Sequence, residues 1–360
     1  MVSNIVSMAA AAMMVMGVAA QPVDHHVHER ANVYVTQYQT HYVTAGVPAA
    51  SPVSNPVPVQ ANVDTASAAP APAKETSAAP AAASPASSSS SSDSDNTQAA
   101  STVSVGDGGA LGMTYSPYNN DGSCKSASQV ADDLKKLSGY SVLRLYGTDC
   151  NQVENVYKAK ASSQKLFLGV FDVGSIESNC QAIHDGINGD WSCVHTVSIG
   201  NELVNSGQAS VDQVGQYVST ARSKLSSLGY SGPVVAVDTF IAVINNPGLC
   251  KHSDYMAVNA HAFFDGGITA DKAGPWAVQQ SQRVWTACGG AKSVLITESG
   301  WPKQGSNNGV AVASHDAHVS AINSLKEAIG NDVLLYTAFN DLWKAPGYLG
   351  VEQYWGVLDN

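Results

Sequence analysis

The chain is 360 residues long and sparsely charged: 18 Lys and Arg against 29 Asp and Glu leave a net −11, and charged residues make up only 13 %. No basic stripe occurs, which excludes a nucleic-acid footprint, and the one long apolar stretch is N-terminal, which excludes a protein that crosses a membrane repeatedly. All six Cys and all six Trp follow residue 120, so one folded domain of about 250 residues behind a long preface fits better than two ordinary domains.

Residues 1–20 read as a secretory signal peptide, with apolar and small residues over 5–20 and Val18-Ala19-Ala20 ahead of a cleavage point. Residues 21–44 read as a pro-segment and N-terminal stretch. His25, His26 and His28 lie close together there, and imidazoles are good metal ligands, but a solvated segment ending near Glu29-Arg30 is the expected reading. Residues 45–106 form a linker. Over 45–104 it holds 17 Ala, 14 Ser, 8 Pro and 4 Thr, with no aromatic residue and no Cys. Such a composition buries too little apolar surface to offset its ordering entropy, so an extended, disordered spacer is expected, O-glycosylated if secreted. No Asn-x-Ser/Thr sequon occurs, so N-glycosylation is not expected.

From residue 107 to 360, short β-branched and aromatic runs alternate with helix-length patterns. The runs cover 111–118, 141–148, 165–173, 194–202, 233–240, 255–264, 293–301 and 333–341. Their interiors are apolar at both parities, which predicts strands buried on both faces of a parallel sheet. Helical stripes occur at Val130, Leu134 and Leu137, at Val214, Val218, Leu225 and Leu228, and at Val319, Ile322, Leu325, Ala328 and Ile329. Eight strands with seven helical segments between them predict an α/β fold, a (β/α)₈ TIM barrel. A doubly wound open sheet would need a phosphate-cradling glycine turn after its first strand, whereas Gly106, Gly108 and Gly109 precede it.

Active sites of such barrels lie at the C-terminal ends of the strands. Those ends carry Tyr115 and Tyr118, Arg144 and Tyr146, Asp172, Asn201 and Glu202, Asp238, Asn259 and His261, Glu298 and Trp301, then Asn340 and Asp341. Aromatic faces with carboxylates and amides suit a sugar; no cofactor fingerprint occurs, and none is expected. Glu202 and Glu298 each follow a strongly apolar strand, where burying a carboxyl without purpose is costly. Glycoside hydrolysis needs one carboxyl to protonate the leaving oxygen and another to attack or to activate water. Convergence of two at a barrel mouth would drive their pKa values apart and so divide their roles.

The stretches GMTYSPYNNDGSCKS, VLRLYGTDC, FDVGSI, TVSIGNELVN, VAVDTFIAVINNP, YMAVNAHAFFDG, VLITESGWP and LLYTAFNDLWKAPG span the whole folded part. In them the chain resembles glycoside hydrolase family 17, the β-1,3-glucanases, and within it the fungal cell-surface mannoprotein and soluble cell-wall glucanase branch. The resemblance implies Glu202 as acid/base, Glu298 as nucleophile and Asn201 as the amide that binds the sugar 2-hydroxyl. It implies retention of configuration, with the two carboxyls about 5–5.5 Å apart. Tyr115, Arg144, Tyr146 and Trp301 become substrate-binding candidates, and Asp341, Lys344 and Glu352 match a charged cluster after the eighth strand. Two departures from the plant pattern are NAHAFF at 259–264, in place of a Tyr-rich stretch, and Asp341, one methylene shorter than the usual Glu.

Six Cys in a secreted domain allow up to three disulfides and 15 pairings. Barrel geometry sets Cys124 beside Cys150 at the upper rim and Cys250 and Cys288 beneath neighbouring strands, while Cys180 and Cys193 flank the third helix and fourth strand; free buried thiols remain an alternative. No CxxC or zinc spacing occurs, so no metal is expected. Residues 355–360 form no hydrophobic tail, so no membrane anchor is expected. The expectation is therefore a secreted, monomeric cell-wall glucanase or glucanosyltransferase whose partner is β-1,3-glucan. The competing reading is a wall mannoprotein or adhesin that holds glucan with little turnover.

Overall fold

The computed structural model describes residues 108–347 and 349–358, together with the antiparallel dipeptides Met14–Val15 and Gln39–Thr40. Apart from those dipeptides, the signal peptide, pro-segment and spacer expected over 1–106 lie outside the described residues.

Eight strands make the barrel: β1 (Gly112–Thr114), β2 (Val142–Leu145), β3 (Lys165–Val170), β4 (Val194–Asn201), β5 (Val234–Thr239), β6 (Met256–Asn259), β7 (Val294–Ser299) and β8 (Val333–Leu335). Each pairs in parallel with the next, and β8 pairs with β1 to close the ring. The sheet is buried on both sides, as the unbroken apolar runs require. One set of side chains, Val142, Phe167, Val235, Val237, Ala257, Leu295 and Leu334, fills the ring, and a larger set packs beneath the helices.

Seven helices alternate with the strands: α1 (Ala127–Lys135), α2 (Gln152–Ala159), α3 (Ile176–Gly186), α4 (Val211–Ser227), α5 (Phe240–Asn245), α6 (Ala273–Ala287) and α7 (His315–Ile329). Ser126 with Gln129 and Ser210 with Gln213 form capping boxes at the starts of α1 and α4, satisfying backbone N–H groups that have no partner inside the helix. The stripes of α1 and α4 face inward as read. On α7 the buried side is His318, Ala321, Ile322 and Leu325, while Ala328 is exposed, so that stripe is rotated from the one expected.

Two disulfides form. Cys124–Cys150 joins the loops after β1 and β2, and Cys250–Cys288 joins the turn before β6 to the end of α6. The third expected bridge does not form. Cys180, on the buried face of α3, and Cys193, whose Sγ turns 3.0 Å from the Asp190 carbonyl in the turn before β4, are both free thiols.

Candidate active site

The predicted runs extend beyond the strands: the first reaches residue 118 whereas β1 stops at Thr114, and the last reaches 341 whereas β8 stops at Leu335. The surplus is the mouth of the barrel, and most of the polar groups of the site sit there or on the last strand residues.

Arg144 on β2 points into the ring and is 1 % exposed. Its Nη1 donates to Glu298 Oε1 at 2.9 Å, to the Thr297 carbonyl at 2.8 Å and to Asn259 Oδ1 at 3.3 Å, and its Nη2 donates to Asn201 Oδ1 at 2.8 Å. Tyr146 Oη donates to the same Glu298 Oε1 at 2.9 Å, and His261 Nε2 lies 3.4 Å from Glu298 Oε2. Asn259 on β6 joins the two acids: its Nδ2 donates to Glu202 Oε1 at 2.8 Å, and its Oδ1 accepts from Thr297 Oγ1 at 2.9 Å and from Arg144. Residues from strands 2, 4, 6 and 7 thus meet in one buried hydrogen-bonded network, in which polar groups find partners in place of water.

The two carboxyls stand in opposite electrostatic positions. Burial pushes Glu202 up, the charge of Glu298 adds to this, and the Asn259 hydrogen bond opposes it only in part; the result is about 8. Burial also pushes Glu298 up, but the Arg144 guanidinium, His261 and Tyr146 outweigh it and hold this carboxyl below the ordinary range. At neutral pH the site therefore holds one protonated and one ionised carboxyl, the division that an acid and a nucleophile need. Nothing among the described residues gathers three or more His, Cys, Asp or Glu side chains around a metal position.

The BtgE/BtgC glycoside hydrolase domain matches residues 112–356, the whole barrel with its site. The chain belongs to glycoside hydrolase family 17. "Cell surface mannoprotein MP65" of Candida albicans is 58 % identical over 258 residues, which are 71 % of this chain and 68 % of that one. "Probable family 17 glucosidase SCW10" of Saccharomyces cerevisiae is 58 % identical over 254 residues, 70 % of this chain and 65 % of its own length, so the match spans about two thirds of these relatives. A family 17 β-1,3-glucanosyltransferase from Rhizomucor miehei superposes with a TM-score of 0.60 at 23 % identity over 70 % of this chain and 93 % of that one, a likeness of fold.

Within this family 17 barrel, the other expected substrate contacts divide. Lys344 Nζ lies 2.8 Å from Asp341 Oδ2 and donates to Tyr336 Oη at 2.5 Å, so the shorter Asp341 still reaches its cation. Glu352 belongs to the same region: burial, first of all, raises it, Lys344 and His261 lower it, and Glu298 and Asp341 raise it further. Tyr115 and Trp301 stand apart from the network and are fully buried. The Tyr115 hydroxyl donates to Asp133 on α1 at 2.7 Å, and the Trp301 indole packs edge-on to Phe263 and donates to the Val312 carbonyl at 2.7 Å. Neither ring is open to solvent: Tyr115 is turned against α1, and Trp301 against the segments that carry Phe263 and Val312. The sequence pattern places Asn259 at a strand end but reveals neither its central place between the acids nor Tyr336 beside Lys344. The signal available for Asn259 was an amide at the end of an otherwise apolar strand.

Proposed function

We propose that this protein is a secreted, retaining cell-wall glycosidase that acts on β-1,3-glucan, with Glu298 as nucleophile and Glu202 as acid/base. The observation that carries the reading is the opposite displacement of the two carboxyls within one network tied by Arg144 and Asn259. Ionised Glu298 attacks the anomeric carbon and forms a glycosyl ester, while Glu202 gives its proton to the departing glucan oxygen as the C–O bond breaks. Glu202, now a carboxylate, takes a proton from the incoming water or glucan hydroxyl, whose oxygen displaces Glu298 from the anomeric carbon. The names of the fungal relatives, a cell-surface mannoprotein and a family 17 glucosidase, support a place in the wall. The β-1,3-glucanosyltransferase of similar fold supports the linkage and a glucan hydroxyl as acceptor.

The test is digestion of laminari-oligosaccharides by the secreted protein, following product length and anomeric configuration with time. First-formed β-anomers support retention, and products longer than the starting chains identify transfer to glucan. α-Anomers would overturn the nucleophile assignment; binding without turnover would favour the adhesin reading. Glu298→Gln is expected to bind laminarin and to lose at least about 10³-fold in kcat.

A further inference from the structure

Glu202 is attached to the barrel by an unusual piece of backbone. The β4–β5 register shifts between Ile199 and Asn201. Gly200 lies within the shift with φ +71°, and Glu202 itself adopts φ +54°, a left-handed conformation that a non-glycine residue keeps only where its surroundings enforce it. A Cβ on Gly200 would lie 2.5 Å from Leu203 Cδ1, so the turn closes tightly on itself. Asp238 at the end of β5, 3 % exposed, lies beneath this turn. Its Oδ2 accepts from Val204 N at 2.8 Å, and its Oδ1 accepts from Asn205 N at 3.1 Å and Thr239 N at 2.9 Å. The Thr239 hydroxyl then donates to Asn205 Oδ1 at 3.0 Å, and Glu202 N donates to the Val237 carbonyl at 2.9 Å. The carboxylate thus takes up amide groups on both sides of the β4–β5 gap.

We propose that Asp238 is a positioning residue for the acid/base: its carboxylate, accepting from backbone amides on both sides of the β4–β5 gap, holds the strained turn that presents Glu202. Asp238 is one of the polar strand-end residues of the mouth, but its two oxygens are occupied by three backbone amides. The charged and titratable groups that act on Glu202 are Glu298 from β7, Asp238 from β5, Arg144 from β2 and Tyr336 after β8; the two acids favour its protonated form and Arg144 opposes it. Asparagine at 238 would remove a negative charge and turn an NH₂ group toward a backbone N–H, opening the clamp on one side.

The inference rests on the glucanase reading, so the wild-type protein must first cleave laminari-oligosaccharides; failure there sinks that reading and not the role of Asp238 alone. Given turnover, Asp238→Asn is expected to lower kcat at least about tenfold with KM within about threefold, and to move the alkaline limb of the kcat/KM profile toward lower pH. The decisive readout is the burst of dinitrophenol release from a 2,4-dinitrophenyl β-laminaribioside, whose leaving group departs without a proton. If Asp238 acts through Glu202, the burst rate stays within about twofold of wild type. A burst slowed in step with kcat, or an unmoved alkaline limb, overturns the proposal. Should Asp238→Asn not fold, Asp238→Glu keeps the charge but displaces it by a methylene. A lowered kcat with an intact burst supports the proposal there, and an unchanged kcat or a slowed burst refutes it.

Discussion

At the scale of single residues, the site is governed by which carboxyl the Arg144 guanidinium reaches. It donates directly to Glu298 and meets Glu202 only through Asn259. The kcat/KM profile should therefore be a bell, falling on the acid side below the ordinary carboxylate range as Glu298 gains a proton and on the alkaline side near 8 as Glu202 loses its own. Stability carries a related signature. Because the Glu202 value is raised in the folded state, the stability held in its proton is complete below the ordinary value of 4.5 and is lost as the pH rises through about 8. Glutamine at 202 has no proton to lose, so Glu202→Gln should melt above wild type at pH 8, by at least about 2 °C, with the difference shrinking toward pH 5. A difference independent of pH, measured by calorimetry, would mean that Glu202 is not buried and protonated. Glu202 and Glu298 themselves were legible in the sequence, since a carboxyl closing a buried strand asks for a purpose. Tyr115 and Trp301 illustrate the limit: a residue's number after a strand does not say whether its side chain turns into the mouth or out against a helix, which depends on local twist and on partners such as Asp133 that are distant in sequence.

At the scale of elements, each strand and helix was legible where hydrophobic periodicity ran for a full turn or more, and least so at the ends. The runs overshot the strands because mouth residues such as Tyr336, Ala338 and Phe339 are apolar or aromatic although they lie beyond Leu335, where the regular strand ends. The rotation of α7 has the same origin: its buried His318 was invisible to a reading based on apolar residues. The capping boxes give a direct check. Ser126→Ala and Ser210→Ala should each cost about 1 kcal/mol, a fall in Tm of about 2–4 °C for a domain of this size. Gly300 tests the junction of β7 and β8, where a Cβ would meet the Tyr336 carbonyl at 2.1 Å. Gly300→Ala should lower Tm by more than either cap variant and reduce kcat as well, because the backbone that must shift carries Glu298 on one side and Tyr336 on the other. A fully active variant melting like wild type would contradict this packing.

At the scale of the whole molecule, closure of the barrel brings β8 beside β1, from opposite ends of the domain, and the disulfides reinforce the connections around it. Their separations are 26 and 38 residues, and loops of that size correspond to about 3–4 kcal/mol each in the chain-entropy account. Replacing Cys250 and Cys288 together by Ser should lower Tm by about 10 °C. The free thiols supply a count: in the unreduced protein, a maleimide should label neither Cys180 nor Cys193 when folded and both when denatured, while denaturation with reduction should expose all six. More than two labelled thiols without reduction would show a bridge missing. The sequence left the third pairing open because proximity along the barrel does not tell whether two sulfurs face each other.

What the sequence by itself determined is the architecture and the pair of carboxyls that meet at its mouth. Alternating strand and helix patterns leave few ways to bury apolar faces on both sides of a sheet, and a barrel places every strand end at one mouth. What only the tertiary structure decided is the division of labour. That Glu298 is ionised depends on Arg144 and His261 arriving from two other strands, that Glu202 is protonated depends on its burial beside that charge, and that Asp238 serves the backbone depends on a turn folded back upon it. These are matters of distances across the ring, where a displacement of an ångström changes a hydrogen bond into none, and no pattern along the chain encodes them.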